Sequence, residues 1–114
     1  MYNNSQHTFT SHDGIELFYQ HWATATPSTT KKAIILFHRG HEHSGRMAHL
    51  VNELNLPNFD FFAWDARGHG HSPGERGDAP SFSACVKDIQ AFVQHIEQQY
   101  AISTENIAVV AQSV

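Results

Sequence analysis

The stretch Ala33-Ile34-Ile35-Leu36-Phe37-His38-Arg39-Gly40-His41 decides the fold. Its first five residues are all apolar, which is typical of a strand buried on both faces, as parallel strands are. The polar residues and the glycine that follow indicate that the strand ends in a loop after Phe37. We therefore predict a sheet whose buried interior begins at residues 33–37.

Strands and helices alternate along the chain on both sides of this strand. Upstream, residues 7–10 and 15–22 flank the turn His12-Asp13-Gly14 and predict an antiparallel hairpin. Downstream, the apolar periodicity predicts a helix from Ser44 to near Pro57, a strand over 59–64, a helix over 82–96 and a strand over 107–111. This order predicts an α/β fold: an antiparallel hairpin, then a mostly parallel sheet with helices on both faces.

Composition narrows the class of protein. The 114 residues make 12.8 kDa, the size of one ordinary domain, and the formal net charge of −4 lacks the basic surplus of a nucleic-acid binder. The longest apolar runs are five residues, against about 20 for a membrane-spanning helix, so no transmembrane segment is predicted. The first residues do not resemble a secretory signal, which favours a cytoplasmic location. The single cysteine, Cys85, is predicted to be a core residue.

Polar residues follow three of the predicted strands. They are His38–His41, Asp65–Gly68 and Gln112–Val114. In sheets of this kind, ligands bind at the carboxyl ends of the strands. The sequence therefore predicts a functional site at this edge.

Two serines compete for the role of nucleophile. The string Gly70-His71-Ser72-Pro73-Gly74 matches the pattern G-x-S-x-G of a serine on a sharp turn. Pro73 has no backbone N–H, however, and cannot stabilise an oxyanion, so Ser72 is assigned to a loop. Ser113 follows a buried strand directly, and the next residue, Val114, has an N–H.

With these loops in place, the chain resembles the N-terminal half of an α/β-hydrolase, in the branch of monoacylglycerol lipases, lysophospholipases and serine aminopeptidases of the S33 type. Two segments at their spacing carry the resemblance: residues 38–46 and 65–74. It implies that Ser113 is the nucleophile of a serine ester hydrolase and that the N–H groups of Gly40 and Val114 form the oxyanion hole. It also implies a structural loop, which comprises Asp65, Arg67, Gly68, His69 and Gly70.

The resemblance further implies a small-molecule or lipid ester substrate of the acylglycerol or lysophospholipid type, with no cofactor and no metal. Three residues depart from the family's pattern: Arg39 and Ala111 replace glycines, and Gln112 replaces a histidine. Arg39 has two interpretations, of which a solvated side chain is favoured over contact with a carboxylate or phosphate of the substrate.

The catalytic acid and histidine of this family follow the nucleophile in chain order, and only one residue follows Ser113. Residues 1–114 are therefore expected to be the N-terminal portion of one domain, inactive alone and poorly soluble because an apolar strand edge is exposed.

Two alternatives stay open. A metal hydrolase would use closely spaced histidines, namely His38, His41, His43, His69 and His71. A non-catalytic fragment of the same fold would instead bind a partner or a hydrophobic ligand.

Overall fold

A computed structural model describes residues 2–25, 30–38, 47–54, 56–68, 71–73 and 82–111. The strands are β1 (Tyr2–Thr10), β2 (Glu16–Thr24), β3 (Lys32–Phe37), β4 (Phe59–Trp64) and β5 (Ile107–Ala111). The helices are α1 (Ala48–Leu54) and α2 (Phe82–Tyr100), and a 3-10 turn at Thr104–Asn106 precedes β5.

The five strands form one sheet in the order β1-β2-β4-β3-β5. The hairpin β1–β2 is antiparallel and joins the rest through an antiparallel pairing of β2 with β4. β3 is parallel to both of its neighbours, β4 and β5. The predicted α/β architecture, a hairpin followed by a parallel sheet, is confirmed.

Side chains of β3 alternate between two cores because successive residues of a strand point to opposite faces. Ala33 and Ile35 pack in a cluster that includes Phe92 and Ile96 of α2. Ile34 and Leu36 pack on the other face, in a cluster that includes Val51 of α1. The two helices therefore cover opposite faces of the sheet, as predicted.

The hairpin is longer than the sequence pattern predicted. β1 begins at Tyr2 instead of residue 7, although residues 3–6 are polar. The ring of Tyr2 packs edge-on against Phe61 at 5.6 Å, and its hydroxyl donates to the carbonyl oxygen of Leu56 at 2.7 Å. This anchor on the sheet extends the strand beyond its apolar alternation. At the turn, Gly14 has φ +84°, a conformation that favours glycine.

β5 occupies one edge of the sheet in the described part of the chain. Val109 and Val110 are 55% and 40% exposed. The apolar strand predicted over 107–111 is thus present, and its outer side is open. α1 is described from Ala48 onward, so the predicted start at Ser44 lies outside the described residues. No helix among the described residues is long and apolar enough to cross a membrane.

Candidate functional site

Three strands end at the same edge of the sheet. β3, β4 and β5 are parallel, and Phe37, the last residue of β3, is the register partner of Ala111, the last residue of β5. Leu36 is likewise the partner of Ala63, near the end of β4. The segments that follow these strands therefore begin side by side.

The predicted site residues divide into two groups. Asp65, Arg67 and Gly68 lie within the described chain. The others lie outside the described residues: Arg39, Gly40, His69, Gly70, Ser113 and Val114. Their roles stay predictions.

Asp65 is fully buried directly after β4. Its backbone N–H donates to the carbonyl oxygen of Phe18 at 2.8 Å, which extends the pairing of β2 with β4 by one residue. Its carboxylate oxygen Oδ2 accepts the N–H of His71 at 2.8 Å. A buried carboxylate is costly unless it is hydrogen-bonded, so this contact fixes the loop where it returns to the sheet.

The hydroxyl of Ser72 makes two hydrogen bonds with the backbone. It accepts the N–H of Phe18 at 2.9 Å and donates to the carbonyl oxygen of Asp65. Ser72 is 7% exposed. These contacts support the assignment of Ser72 to the loop, because its oxygen bridges two backbone segments inside the protein.

Arg67 links three segments of the chain. Its guanidinium binds Asp88 of α2 in a bidentate pair, with Nε to Oδ2 at 3.1 Å and Nη2 to Oδ1 at 2.9 Å. It also binds Asp13 of the hairpin turn, with Nη1 to Oδ2 at 3.1 Å. Ser11 donates to Asp88 Oδ1 at 2.5 Å. The loop after β4 is thereby held against the hairpin turn and α2.

The electrostatics of this network follow from the same contacts. The hydrogen bond to Asp88 is the largest cause that raises the pKa of Arg67, although partial burial opposes it. The hydrogen bond from Arg67 lowers the pKa of the Asp13 carboxyl. Arg67 and Asp13 are therefore charged at neutral pH.

His38 joins the ends of β3 and β4. Its Nε2 accepts the backbone N–H of Ala66 at 3.0 Å. An imidazole nitrogen that accepts carries no proton, so the neutral ring holds its hydrogen on Nδ1. In the same loop, Gly68 has φ +80° and donates its N–H to the carbonyl oxygen of Pro73 at 2.8 Å. The contacts of Asp65, Arg67 and Gly68 support the predicted structural loop.

Sequence reasoning missed Asp88, Ser11 and the backbone contact of His38. Asp88 did leave a signal, because it is a charged residue among the apolar positions of α2, between Cys85 and Phe92. A carboxylate at such a position needs a buried partner. The contact of His38 with a backbone N–H left no comparable signal.

The described residues offer little support for a metal site or for a reactive thiol. No group of three or more potential ligands in the described ranges is arranged to hold a metal ion. His41, His43 and His69 lie outside those ranges, so the metal alternative is not tested. Cys85 is half-buried, and burial followed by the charge of Asp88 raises its pKa, which keeps the thiol protonated.

Comparison with known proteins gives the family. The model of the family described as "Serine aminopeptidase, S33" matches residues 28–114, well over half of the chain. The chain belongs to this family. The S33 match includes the ends of β3, β4 and β5, which carry the candidate site.

Three relatives illustrate the similarity of this S33 chain. It is 50% identical over 109 residues to the uncharacterized protein YnbC of Escherichia coli, covering 96% of this chain and 18% of that protein. It is 38% identical to mouse monoglyceride lipase, covering 77% of this chain and 28% of the lipase. It is 31% identical to the monoacylglycerol lipase of Mycolicibacterium smegmatis, covering 78% and 31%. The chain thus spans less than a third of the length of these relatives.

Solved structures confirm the α/β-hydrolase fold. The α/β-hydrolase GrgF from Penicillium sp. matches with a TM-score of 0.76 at 19% identity, covering 96% of this chain and 37% of that one. The Pyrococcus furiosus esterase Pf2001 matches with a TM-score of 0.73 at 18% identity, covering 96% and 42%. At these identities the likeness concerns the fold alone.

Proposed function

We propose that this S33 chain supplies the nucleophile and the oxyanion hole of a serine hydrolase that cleaves carboxylic esters of the acylglycerol or lysophospholipid type. The observation that carries the proposal is the register of β3 with β5, in which Phe37 and Ala111 are partners. The segments that hold Gly40 and Ser113 start from these two partners.

Chain length supports a meeting of the two segments. Ser113 follows Ala111 by two residues, and Gly40 follows Phe37 by three. A residue spans at most about 3.6 Å, and neighbouring strands lie about 4.8 Å apart. The two segments are therefore long enough for Ser113 Oγ and the Gly40 N–H to meet at one substrate carbonyl.

The chemistry assigned to these residues is acyl transfer. Ser113 Oγ attacks the ester carbonyl carbon and gives its proton to a histidine, while the carbonyl oxygen becomes an oxyanion between the N–H groups of Gly40 and Val114. Collapse of this intermediate expels the alcohol, which takes the proton from the histidine. Water then releases the acid and restores the serine. Loss of one oxyanion donor costs on the order of 100-fold or more in rate.

The fixed loop after β4 supports this assignment as a scaffold. Asp65 and Ser72 use their polar side chains inside the loop, and Arg67 uses its guanidinium on Asp13 and Asp88. A rigid neighbour keeps the end of β3 in place, since His38 binds the backbone of Ala66. An oxyanion hole gains its strength from such preorganisation.

The ester class rests on the relatives. Two of the proteins that this chain resembles at above 30% identity are named as a monoglyceride lipase and a monoacylglycerol lipase. A histidine and an acid beyond Val114 are expected to complete the triad in the whole protein.

The test is covalent labelling of the natural full-length protein with a fluorophosphonate, read by intact mass. We expect one adduct, because Ser113 Oγ displaces fluoride from the probe, and no adduct in Ser113→Ala. Ser72→Ala is the matched control, which replaces the serine of the literal motif and is expected to label as the wild type does.

Folding of both variants is checked by circular dichroism. An adduct that Ser113→Ala retains and Ser72→Ala loses would reverse the assignment of the nucleophile. A folded wild type without any adduct would contradict the proposal and favour a hydrolase-like protein that only binds a ligand.

A further inference from the structure

We propose that the outer edge of β1 is the interface of a two-fold dimer, in which β1 pairs antiparallel with β1 of a second copy of this chain, centred on Gln6. This inference does not depend on the proposed hydrolase activity. It rests on the direction of the backbone groups of β1, on the composition of the strand and on its self-complementary register.

The hydrogen bonds at the turn show which backbone groups of β1 point outward. Ser11 donates its N–H to the carbonyl oxygen of Ile15 at 2.8 Å, in continuation of the register in which Phe9 faces Leu17. In an antiparallel pair, hydrogen-bonded residues alternate with those whose N–H and C=O point away. The odd-numbered residues of β1 therefore bond to β2.

The hydrogen bonds on the other side of β2 support this assignment. The carbonyl oxygen of Phe18 accepts from Asp65, and the N–H of Phe18 donates to Ser72. The backbone N–H and C=O groups of even-numbered residues of β2 thus point away from β1. The backbone groups of the even-numbered residues of β1 point outward in turn, and no other strand of the described chain pairs with them. They are Tyr2, Asn4, Gln6, Thr8 and Thr10.

β1 lacks the features that protect edge strands from pairing. Natural edges are shortened, interrupted by bulges, or marked by prolines and charged residues, above all lysine. β1 is nine residues long and contains no proline and no Asp, Glu, Lys or Arg. Its register with β2 runs without interruption from Tyr2 to Thr10. The strand is therefore a ready template for another strand.

The register favours a second copy as the partner. With the two-fold axis at Gln6, the outward residues pair among themselves: Gln6 faces Gln6 of the second copy, Asn4 faces Thr8, and Tyr2 faces Thr10. Each pair exchanges two backbone hydrogen bonds. The facing side chains are neutral, so no like charges oppose each other, and paired amides add hydrogen bonds across the interface.

The helix above β1 fits the same symmetry. A groove of about 480 Å³ lies between β1 and α2, and its helix side includes Gln90, Gln94 and Gln98. Its one lysine, Lys87, lies at the opposite end of this row from Gln98. The contact of Ser11 with Asp88 places Lys87 near the hairpin turn, away from the axis at Gln6, so the lysines of the two copies do not meet across the interface.

In the dimer, the five-stranded sheets of the described residues would join at β1 into one continuous sheet. The strands of the two copies run in opposite directions. The two candidate sites, each at the carboxyl ends of β3, β4 and β5, would therefore face opposite ends of the assembly and work independently.

A charge swap at the two-fold axis tests the interface on the full chain, with mass measured by light scattering after size exclusion. We expect the wild type to have twice the chain mass. Gln6→Lys and Gln6→Glu should each be monomeric, because like charges meet at the axis, and an equimolar mixture of the two should recover the dimer.

Two further measurements keep the result unambiguous. Thermal unfolding by circular dichroism verifies that both Gln6 variants stay folded. Asn52→Lys, at an exposed polar position on α1, is the matched control and should remain a dimer. A monomeric wild type, a dimer unaffected by either Gln6 variant, or a dimer lost only in Asn52→Lys would overturn the proposal.

Discussion

Asp88 shows how one charged residue organises the surroundings of the candidate site. It is 2% exposed and receives hydrogen bonds from Arg67 and Ser11, so the loop after β4 and the hairpin turn both depend on it. Removal of one partner of a buried ion pair leaves the other charge without compensation. The carboxylate therefore matters more for stability than its distance from the strand ends suggests.

Asp88→Ala is expected to lower the free energy of unfolding by about 3 kcal/mol. Asp13→Ala is the matched control, because Asp13 binds the same guanidinium from an exposed position and its loss should cost much less. Urea unfolding of the full chain measures both. Equal losses in the two variants would show that burial of Asp88 does not set the strength of the pair.

At the scale of elements, a cluster of aromatic and histidine side chains fixes α2 on the sheet. The hydroxyl of Tyr19 lies 2.8 Å from His95 Nε2 and 2.7 Å from the hydroxyl of Tyr100. His7 stacks near Tyr19 at 5.3 Å and lies 6.4 Å from His21. Burial and the charge of His7 lower the pKa of His95, and burial and the charge of His21 lower that of His7. Two charged groups of the described chain also contact the cluster: Asp60 binds His21 at 2.9 Å, and Lys31 donates to the carbonyl oxygen of Tyr100 at 3.5 Å.

The depressed pKa values predict a loss of stability in acid. The unfolded chain takes up protons near the ordinary histidine value of 6.5 and the folded protein only below it, so stability is complete above 6.5 and falls as the pH decreases through the folded values. His95→Gln keeps a hydrogen-bond partner for Tyr19 without a titrating ring. Between pH 7.5 and 5.5 its Tm should fall less than that of the wild type.

The exposed His49 on α1 supplies the control for this experiment. His49→Gln should show the same dependence of Tm on pH as the wild type. If His95→Gln and His49→Gln behave alike, protonation at the α2 interface does not cause the loss of stability.

Local apolar patterns predicted β4 and β5 with the bounds that the structure gives, because short apolar runs between turn residues are strong signals. The pattern did not predict the start of β1, since Tyr2 is held by a contact with Phe61 that no local pattern contains. The candidate site divides in the same way. Asp65 and Arg67 were identified from the sequence, but their partners Phe18 and Asp88 come from distant segments.

At the scale of the whole molecule, the sheet of the described chain has two open edges of different character. β1 is polar, whereas β5 exposes Val109 and Val110. An exposed apolar edge strand is a site of aggregation. This difference supports the expectation that residues 1–114 are poorly soluble when produced alone.

Replacement of Val109 and Val110 by threonine should increase the concentration of the 114-residue chain that remains in solution after centrifugation, because threonine keeps strand propensity and adds a polar group. Ile15→Thr is the control, since Ile15 is 39% exposed in the hairpin turn and not on β5. An equal gain from Ile15→Thr would attribute aggregation to exposed apolar area in general.

The position of β3 between β4 and β5 also determines the order in which the molecule folds. The hairpin β1–β2 joins neighbours in the chain, whereas the pairing of β3 with β5 joins Ala33 to Ile107 and Phe37 to Ala111. Contacts between distant residues form slowly, because a long loop must close first. During synthesis the hairpin can form as it leaves the ribosome, whereas β3 can pair with β5 only after residues 107–111 have been synthesised. The pairing from which the segments of Gly40 and Ser113 start therefore forms after the hairpin.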